Sequence, residues 1–209
     1  MRRTKILNLK HFNLINGFAK NKILFLLCLF LILGIGVGCI SYSKSVNAVN
    51  AAQFFYKLYF LPKVNNSVWS VIFKSFSLLT CVAAVFFVFG TSMMGIVAIP
   101  FCTFCVGFIS GDFAALMYSN YAVKGIAFNA VIFMPAALIF LVSLISVSKH
   151  SVNFSLSLTR LTFVKTGAKN LSDDFKFYCG KYLVFLALVL CAAITDGILN
   201  KFFLHFFGF

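Results

Sequence analysis

Residues 68–117, VWSVIFKSFSLLTCVAAVFFVFG-TS-MMGIVAIPFCTFCVGFISGDFAALM, place two long apolar runs on either side of a very short joint. The first run holds one charged residue, Lys74, and the second holds one, Asp112. A helix that crosses the hydrocarbon core of a bilayer needs about 20 consecutive apolar residues. Both runs meet that length, and Gly90-Thr91-Ser92 is too short to do more than turn the chain. Working outward, the same reading finds three further blocks, giving spans at about 23–40, 68–90, 93–117, 124–147 and 182–200. Apolar residues make up 62% of the chain and charged residues 11%, whereas a soluble domain carries about a quarter charged residues. The fold class is therefore all-α, a polytopic transmembrane helical bundle of five spans forming one integral membrane domain over residues 1–209.

The charge distribution orients this bundle. The chain has 18 Lys and Arg against four acidic residues, a formal net charge of +14. Six of the basic residues fall in 1–22 and six in 149–181. Basic residues concentrate on cytoplasmic segments, where they also meet anionic headgroups. Topology and contact with the lipid bilayer thus account for the charge without a nucleic acid partner. With residues 1–22 inside, five crossings return 149–181 to the inside and leave the C-terminus outside. The outer segments hold fewer basic residues: Lys44, Lys57 and Lys63, then Lys124, then Lys201.

Between the first two spans lies the aromatic segment QFFYKLYFLPKV (53–64), ended by Pro62. Phe54, Phe55, Leu58 and Tyr59 are expected to form one face of a short interfacial helix. Trp69 opens the second span as an interface anchor, and Lys74 is placed to snorkel outward. Tyr118-Ser119-Asn120-Tyr121 is expected to turn the chain before the fourth span. A cleavable leader, ending near Val46-Asn47-Ala48, competes with the five-span reading. The long basic region and spanning-length apolar run favour a retained first span.

The residues that can carry chemistry are few. Asp112 is expected at the interfacial end of the third span, where Lys124 across the turn can pair with it. Asp196 lies deeper, in the fifth span, with Asn200 and Lys201 beyond it. A carboxylate at mid-bilayer costs about 2.5–3.5 kcal/mol, so such residues are normally paired or functional. These two suit either an ion pair and local structure or a proton or cation pathway. Gly34-x-x-x-Gly38 and Gly107-x-x-x-Gly111 put small residues one turn apart, as helices do where backbones approach closely in lipid. Internal packing and a partner-binding face are both open to them. Gly95, Pro100 and Pro135 are expected to bend their helices.

Cys102-Thr103-Phe104-Cys105 has C-x-x-C spacing, but zinc needs further ligands and redox chemistry needs a polar, accessible setting. The seven cysteines therefore read as small apolar residues, without disulfides. No nucleophile–base pair, phosphate-binding loop or paired carboxylate stands in the sequence. The expectation is a protein that is not an enzyme and uses no cofactor or metal.

From Leu78 to Leu161 a spaced pattern carries a resemblance. It comprises Gly90-Thr91-Ser92 with Gly95 and Pro100, then Gly107-Phe108 and Gly111. Tyr121-Ala122-Val123-Lys124-Gly125-Ile126 follows, then Pro135 and a Ser/Leu run into Arg160. In this pattern the chain resembles the stage II sporulation protein M family of bacterial membrane proteins. It departs from that family at Ala136-Ala137, where a polar pair is common, and at Asp112, where the residue is commonly apolar or small. The resemblance implies a non-catalytic membrane scaffold in the cell membrane. Such a scaffold anchors cell-wall hydrolases similar to the stage II sporulation proteins D and P during endospore engulfment. It would lend the glycine faces and the outer aromatic segment to partner docking. The alternative, from Asp112 and Asp196, is a small proton- or ion-coupled transporter or permease subunit.

Overall fold

The computed structural model describes residues 22–60, 67–164 and 171–207. Among them every regular element is helical. The helices are α1 (Lys22–Lys44), α2 (Val46–Phe55), α3 (Val68–Gly90), α4 (Gly95–Phe128), α5 (Met134–Val164) and α6 (Leu171–Phe207). Wider π-helical turns occupy Tyr56–Phe60 and Asn129–Phe133. The basic leader over 1–21, Pro62 and Lys63, Lys165 and Lys169, and the last two residues of the aromatic tail lie outside the described residues.

Four helical stretches are long and apolar enough to cross a bilayer: Lys22–Lys44, Val68–Gly90, Gly95–Thr159 and Asp173–Phe202. This composition and length fit a helical membrane bundle. The third stretch holds 65 residues. As one straight helix it would reach roughly 100 Å, about three times the hydrocarbon thickness. It is instead folded in two at Ala122, whose φ of 47° and ψ of −125° interrupt the helix. Past that point the chain doubles back: the Phe133 ring lies 5.0 Å from Phe113, and Ser155 Oγ donates to the Ser92 carbonyl oxygen at 2.7 Å.

The reversal differs from the turn expected at 118–121, because those residues remain helical. One residue makes the break, in the conformation that opens a type II′ turn and usually takes glycine. Gly125 permits the tight return, since a methyl group there would overlap the Met117 carbonyl oxygen. Pro135 follows the second π-turn by two residues. It has no N–H for the carbonyl four residues back, and the widened turn absorbs that loss. Pro100, by contrast, lies in α4 without a break in helical backbone.

Contacts between the legs define their directions. Gly34 and Gly38 of α1 face Phe104, Gly107, Phe108 and Asp112 of α4 in rising order, so these helices run parallel. On α3 and α6 the order inverts: Gly90 meets Tyr178, whereas Ile72 meets Gly197. Phe140 with Phe185 and Phe154 with Tyr178 set α5 antiparallel to α6 in the same way. Five legs therefore alternate in direction: α1, α3, the first leg of α4, α5 and α6.

Alternation gathers different residues at the two ends. At one end Leu27, Phe86, Ile99, Phe154, Tyr178 and Phe185 belong to the larger buried cluster. Tyr178 Oη there donates to the Phe87 carbonyl oxygen at 3.2 Å. Ala52, Phe113, Leu116, Met117, Phe128 and Ile132 form the second cluster, at the opposite end. The basic stretch 149–181, read as a connection in sequence, consists largely of helix: α5 continues to Val164 and α6 starts at Leu171. Polar composition ends the apolar part of each helix without ending the backbone hydrogen bonding.

Candidate functional site

Asp196 stands on α6 where small residues bring that helix close to its neighbours. Ala192 and Ala193 are fully buried, and a methyl group on Gly197 would overlap the Ile72 side chain. On α3, Val71 and Ser75 share a face one turn apart, and both are buried. Ser75 Oγ donates to Asp196 Oδ2 at 2.7 Å. A second donor comes from a distant segment: Tyr59 Oη donates to the same oxygen at 3.0 Å. Asp196 is 1% exposed. A buried carboxylate that accepts two hydroxyl donors retains part of the stabilisation it loses on leaving water.

Tyr59 reaches this position because α2 and the turn after it form an arm across the bundle. Ala48 and Ala52 bury the arm's inner side. Its rings pack in sequence: Phe55 stacks on Tyr59 at 5.3 Å, and Tyr59 meets Phe113 edge-on at 6.2 Å and Phe133 at 5.9 Å. Burial, then the charge and hydrogen bond of Asp196, hold the Tyr59 phenol well above its ordinary pKa, so it remains a donor. The single interfacial face expected of this segment is split. Phe55 and Tyr59 turn inward, whereas Phe54 and Leu58 are 68% and 51% exposed. Phe54 and Leu58, four residues apart, share one stripe of the helix, and Phe55 and Tyr59 share the next, about 100° round, so one helical period already separates the two pairs.

Beside Asp196 lies a cavity of about 90 Å³ whose wall includes Tyr59, Leu78, Val106, Phe133 and Ala136. It has room for a few water molecules or one small molecule. Ala136 and Ala137, where the family resemblance leads one to look for a polar pair, line this space. Asp196 supplies the carboxylate of its wall, so the cavity can hold a cation, a proton carrier or a hydrogen-bond donor.

Asp112 occupies a different setting. It is 1% exposed, and neither carboxylate oxygen has a hydrogen-bond partner among the described residues. It follows Gly111, whose α-carbon abuts Ile35 of α1, and its own backbone nitrogen lies under Gly38. The expected ion pair with Lys124 does not form. Lys124 is exposed beyond the hairpin tip, and α4 continues roughly 13 Å past Asp112 before it breaks at Ala122.

Gly107 and Gly111 are buried. A methyl group on Gly107 would strike the Leu31 carbonyl oxygen, one on Gly111 that of Ile35, and one on Gly34 that of Phe104. The two small-residue motifs thus pack on each other, and internal packing is the use the fold makes of them. Cys39 Sγ adds a contact across the seam, donating to the Gly111 carbonyl oxygen at 3.4 Å. The seven cysteines are free thiols, and the described residues hold no His, Cys, Asp and Glu group suited to a metal ion.

Sequence reasoning singled out both aspartates but missed Ser75 and Tyr59. Ser75 falls four residues after Val71 on the stripe that buries α3, a signal available in the pattern. Nothing local to Tyr59 announces its partner 137 residues away. No protein-family model, curated protein or solved structure matches the chain.

Proposed function

We propose that this chain is a non-catalytic, multi-pass anchor of the cell membrane that localises peptidoglycan-remodelling enzymes during endospore engulfment. Five crossings, with the N-terminus inside and the C-terminus outside, match the five alternating legs and the basic residues shared by one end. The observation that carries the reading is the use made of the residues on which the family resemblance rests. Gly90 and Gly95 close the turn between α3 and α4 against Tyr178 and Ser155. Gly107 and Gly111 form the seam with α1, and Gly125 closes the hairpin. The shared pattern is thus a pattern for building a rigid bundle, which is what an anchor supplies. The outer arm adds a surface for hydrolases resembling stage II sporulation proteins D and P: Val46, Phe54 and Leu58 project from it, 76%, 68% and 51% exposed.

Affinity purification from native membranes in mild detergent tests this. Peptidoglycan hydrolases should accompany the tagged protein, and replacing Phe54 and Leu58 with Ser should release them while membrane insertion persists. Undiminished recruitment by that variant would sink the docking assignment.

The Asp196 cavity favours a second reading, a small proton- or ion-coupled transporter or permease subunit. Substituting both Asp112 and Asp196 with Asn separates the two. An anchor that still folds keeps its partners, whereas a coupled carrier stops.

A further inference from the structure

We propose that the groove between α5 and α6 at the basic end binds one anionic phospholipid, its phosphate on Lys181 and His150 and an acyl chain along Val142, Val184 and Leu188. The groove measures about 570 Å³ and runs from His150 and Lys181 at its mouth to Leu138 and Leu188 at its far end. Leu138 to His150 is about 18 Å along a helix, close to half the hydrocarbon thickness of a bilayer. The groove therefore has the length of one leaflet.

Its chemistry changes along that length as a lipid's does. Leu138, Val142, Val184 and Leu188 are 54%, 63%, 60% and 41% exposed. Two serines share the wall, but Ser143 Oγ donates to the Phe140 carbonyl oxygen and Ser146 Oγ to that of Val142, so both are spent on their own helix. The lining is hydrocarbon until the mouth.

At the mouth the polar part of both helices begins, and two basic side chains converge on one ring. Lys181 Nζ lies 5.0 Å from the centroid of Phe177, and the His150 ring lies 6.2 Å from it, tilted by 73°. Phe177 thus holds both donors at the headgroup level. Two exposed acids, Asp174 and Asp173, lie further out in the first turn of α6, and Asp173 is 3.9 Å from Lys176. A phosphate supplies the negative charge that this mouth faces, and the apolar groove behind it selects a lipid over a free anion.

The test is native mass spectrometry of the full chain released from neutral detergent, with phosphatidylglycerol or phosphatidylcholine of identical acyl chains added. One phosphatidylglycerol per chain should be retained about tenfold better than phosphatidylcholine. Lys181→Gln should weaken retention about fivefold, the loss expected for one basic residue near an anionic headgroup. Lys201→Gln, at the opposite end, should change nothing. Val142→Trp fills the groove with its charges intact and should also expel the lipid. Equal retention of the two lipids by the wild type overturns the proposal, as does wild-type binding by Lys181→Gln. Full retention by Val142→Trp would reduce the site to surface charge, and displacement by inorganic phosphate would make it an anion site. A dimer that dissociates on Val142→Trp would assign the groove to a second copy. Should Lys181→Gln fail to fold, the wild-type lipid comparison and Val142→Trp still decide.

Discussion

Asp112 and Asp196 lie in one layer of the bundle, equally hidden from solvent, and the protein treats them in opposite ways. Tyr59 joins their surroundings: its hydroxyl is on Asp196, and its ring is against Phe113, the residue after Asp112. Asp196 accepts hydroxyls from Ser75 and Tyr59 and borders a cavity. Asp112 lies beside a backbone-to-backbone seam that leaves no space for a donor side chain, and its oxygens lack hydrogen bonds among the described residues. One carboxylate is supported by its surroundings, and the other is a cost that the glycine seam offsets. In lipid, apolar surface gives little drive for helix association, so close packing has to supply it. The comparison teaches that burial alone does not identify a functional acid; the groups gathered around it do.

The largest effect should come from the seam. Gly111→Val would drive a branched side chain into the Ile35 carbonyl. Backbone on both sides prevents relief by a side-chain rotation, so a loss of about 3 kcal/mol or more is expected. Unfolding in mixed micelles by increasing SDS measures it. A fully stable valine variant would show that α1 does not need this approach, and the offset for Asp112 would have to be sought elsewhere.

Asp196→Ala comes next. It leaves Tyr59 Oη and Ser75 Oγ without their shared acceptor in a buried place, which costs about 2 kcal/mol. Asp196→Asn keeps an acceptor oxygen and should cost about half as much in the same titration. In a Tyr59→Phe background the alanine change should become smaller, since one donor is then absent. An unchanged cost in that background would mean that the hydrogen bond to the arm carries little of the energy.

Much of this arrangement was legible in the chain, for physical reasons that also mark where legibility stops. The 3.6-residue period and bilayer length located the helices, and small residues four apart located both halves of the α1–α4 seam. Counting crossings makes the two halves parallel, but that they meet is seen only in the fold. The reversal before the fourth span was legible, but not its break at Ala122, because alanine carries no signal for positive φ. Tyr59 was not legible as a donor, because its acceptor lies 137 residues away on the last helix. Asp112 was expected beside Lys124 because a turn was read at 118–121; those residues are helix, and α4 runs four residues past Met117 before it breaks.

Asp112→Ala should act with the opposite sign to Asp196→Ala. An unpartnered carboxylate held off the bilayer centre costs somewhat less than the 2.5–3.5 kcal/mol of the midplane, and the alanine leaves a small void. A net gain of about 1–2 kcal/mol is expected in the same SDS titration. Equal destabilisation by both alanine variants would erase the contrast, and would mean that Asp112 has a supporting group of its own.

Ala122→Gly sharpens the comparison with the smallest change. The Ala122 φ of 47° is the one positive value among the described non-glycine residues. Holding a residue with a Cβ in such a region costs about 1–3 kcal/mol. Glycine removes that strain but adds freedom to the unfolded chain, which opposes the gain by about 0.4–1 kcal/mol. The net expectation is a stabilisation of about 1 kcal/mol. The hairpin tip touches neither aspartate directly, so the gain should add to the effects of Asp112→Ala and Asp196→Ala within about 0.5 kcal/mol. Additivity would place the difference between the two acids in their immediate surroundings. A gain that vanished in the Asp112→Ala background would instead show that the strained turn holds α4 in the position that keeps Asp112 buried.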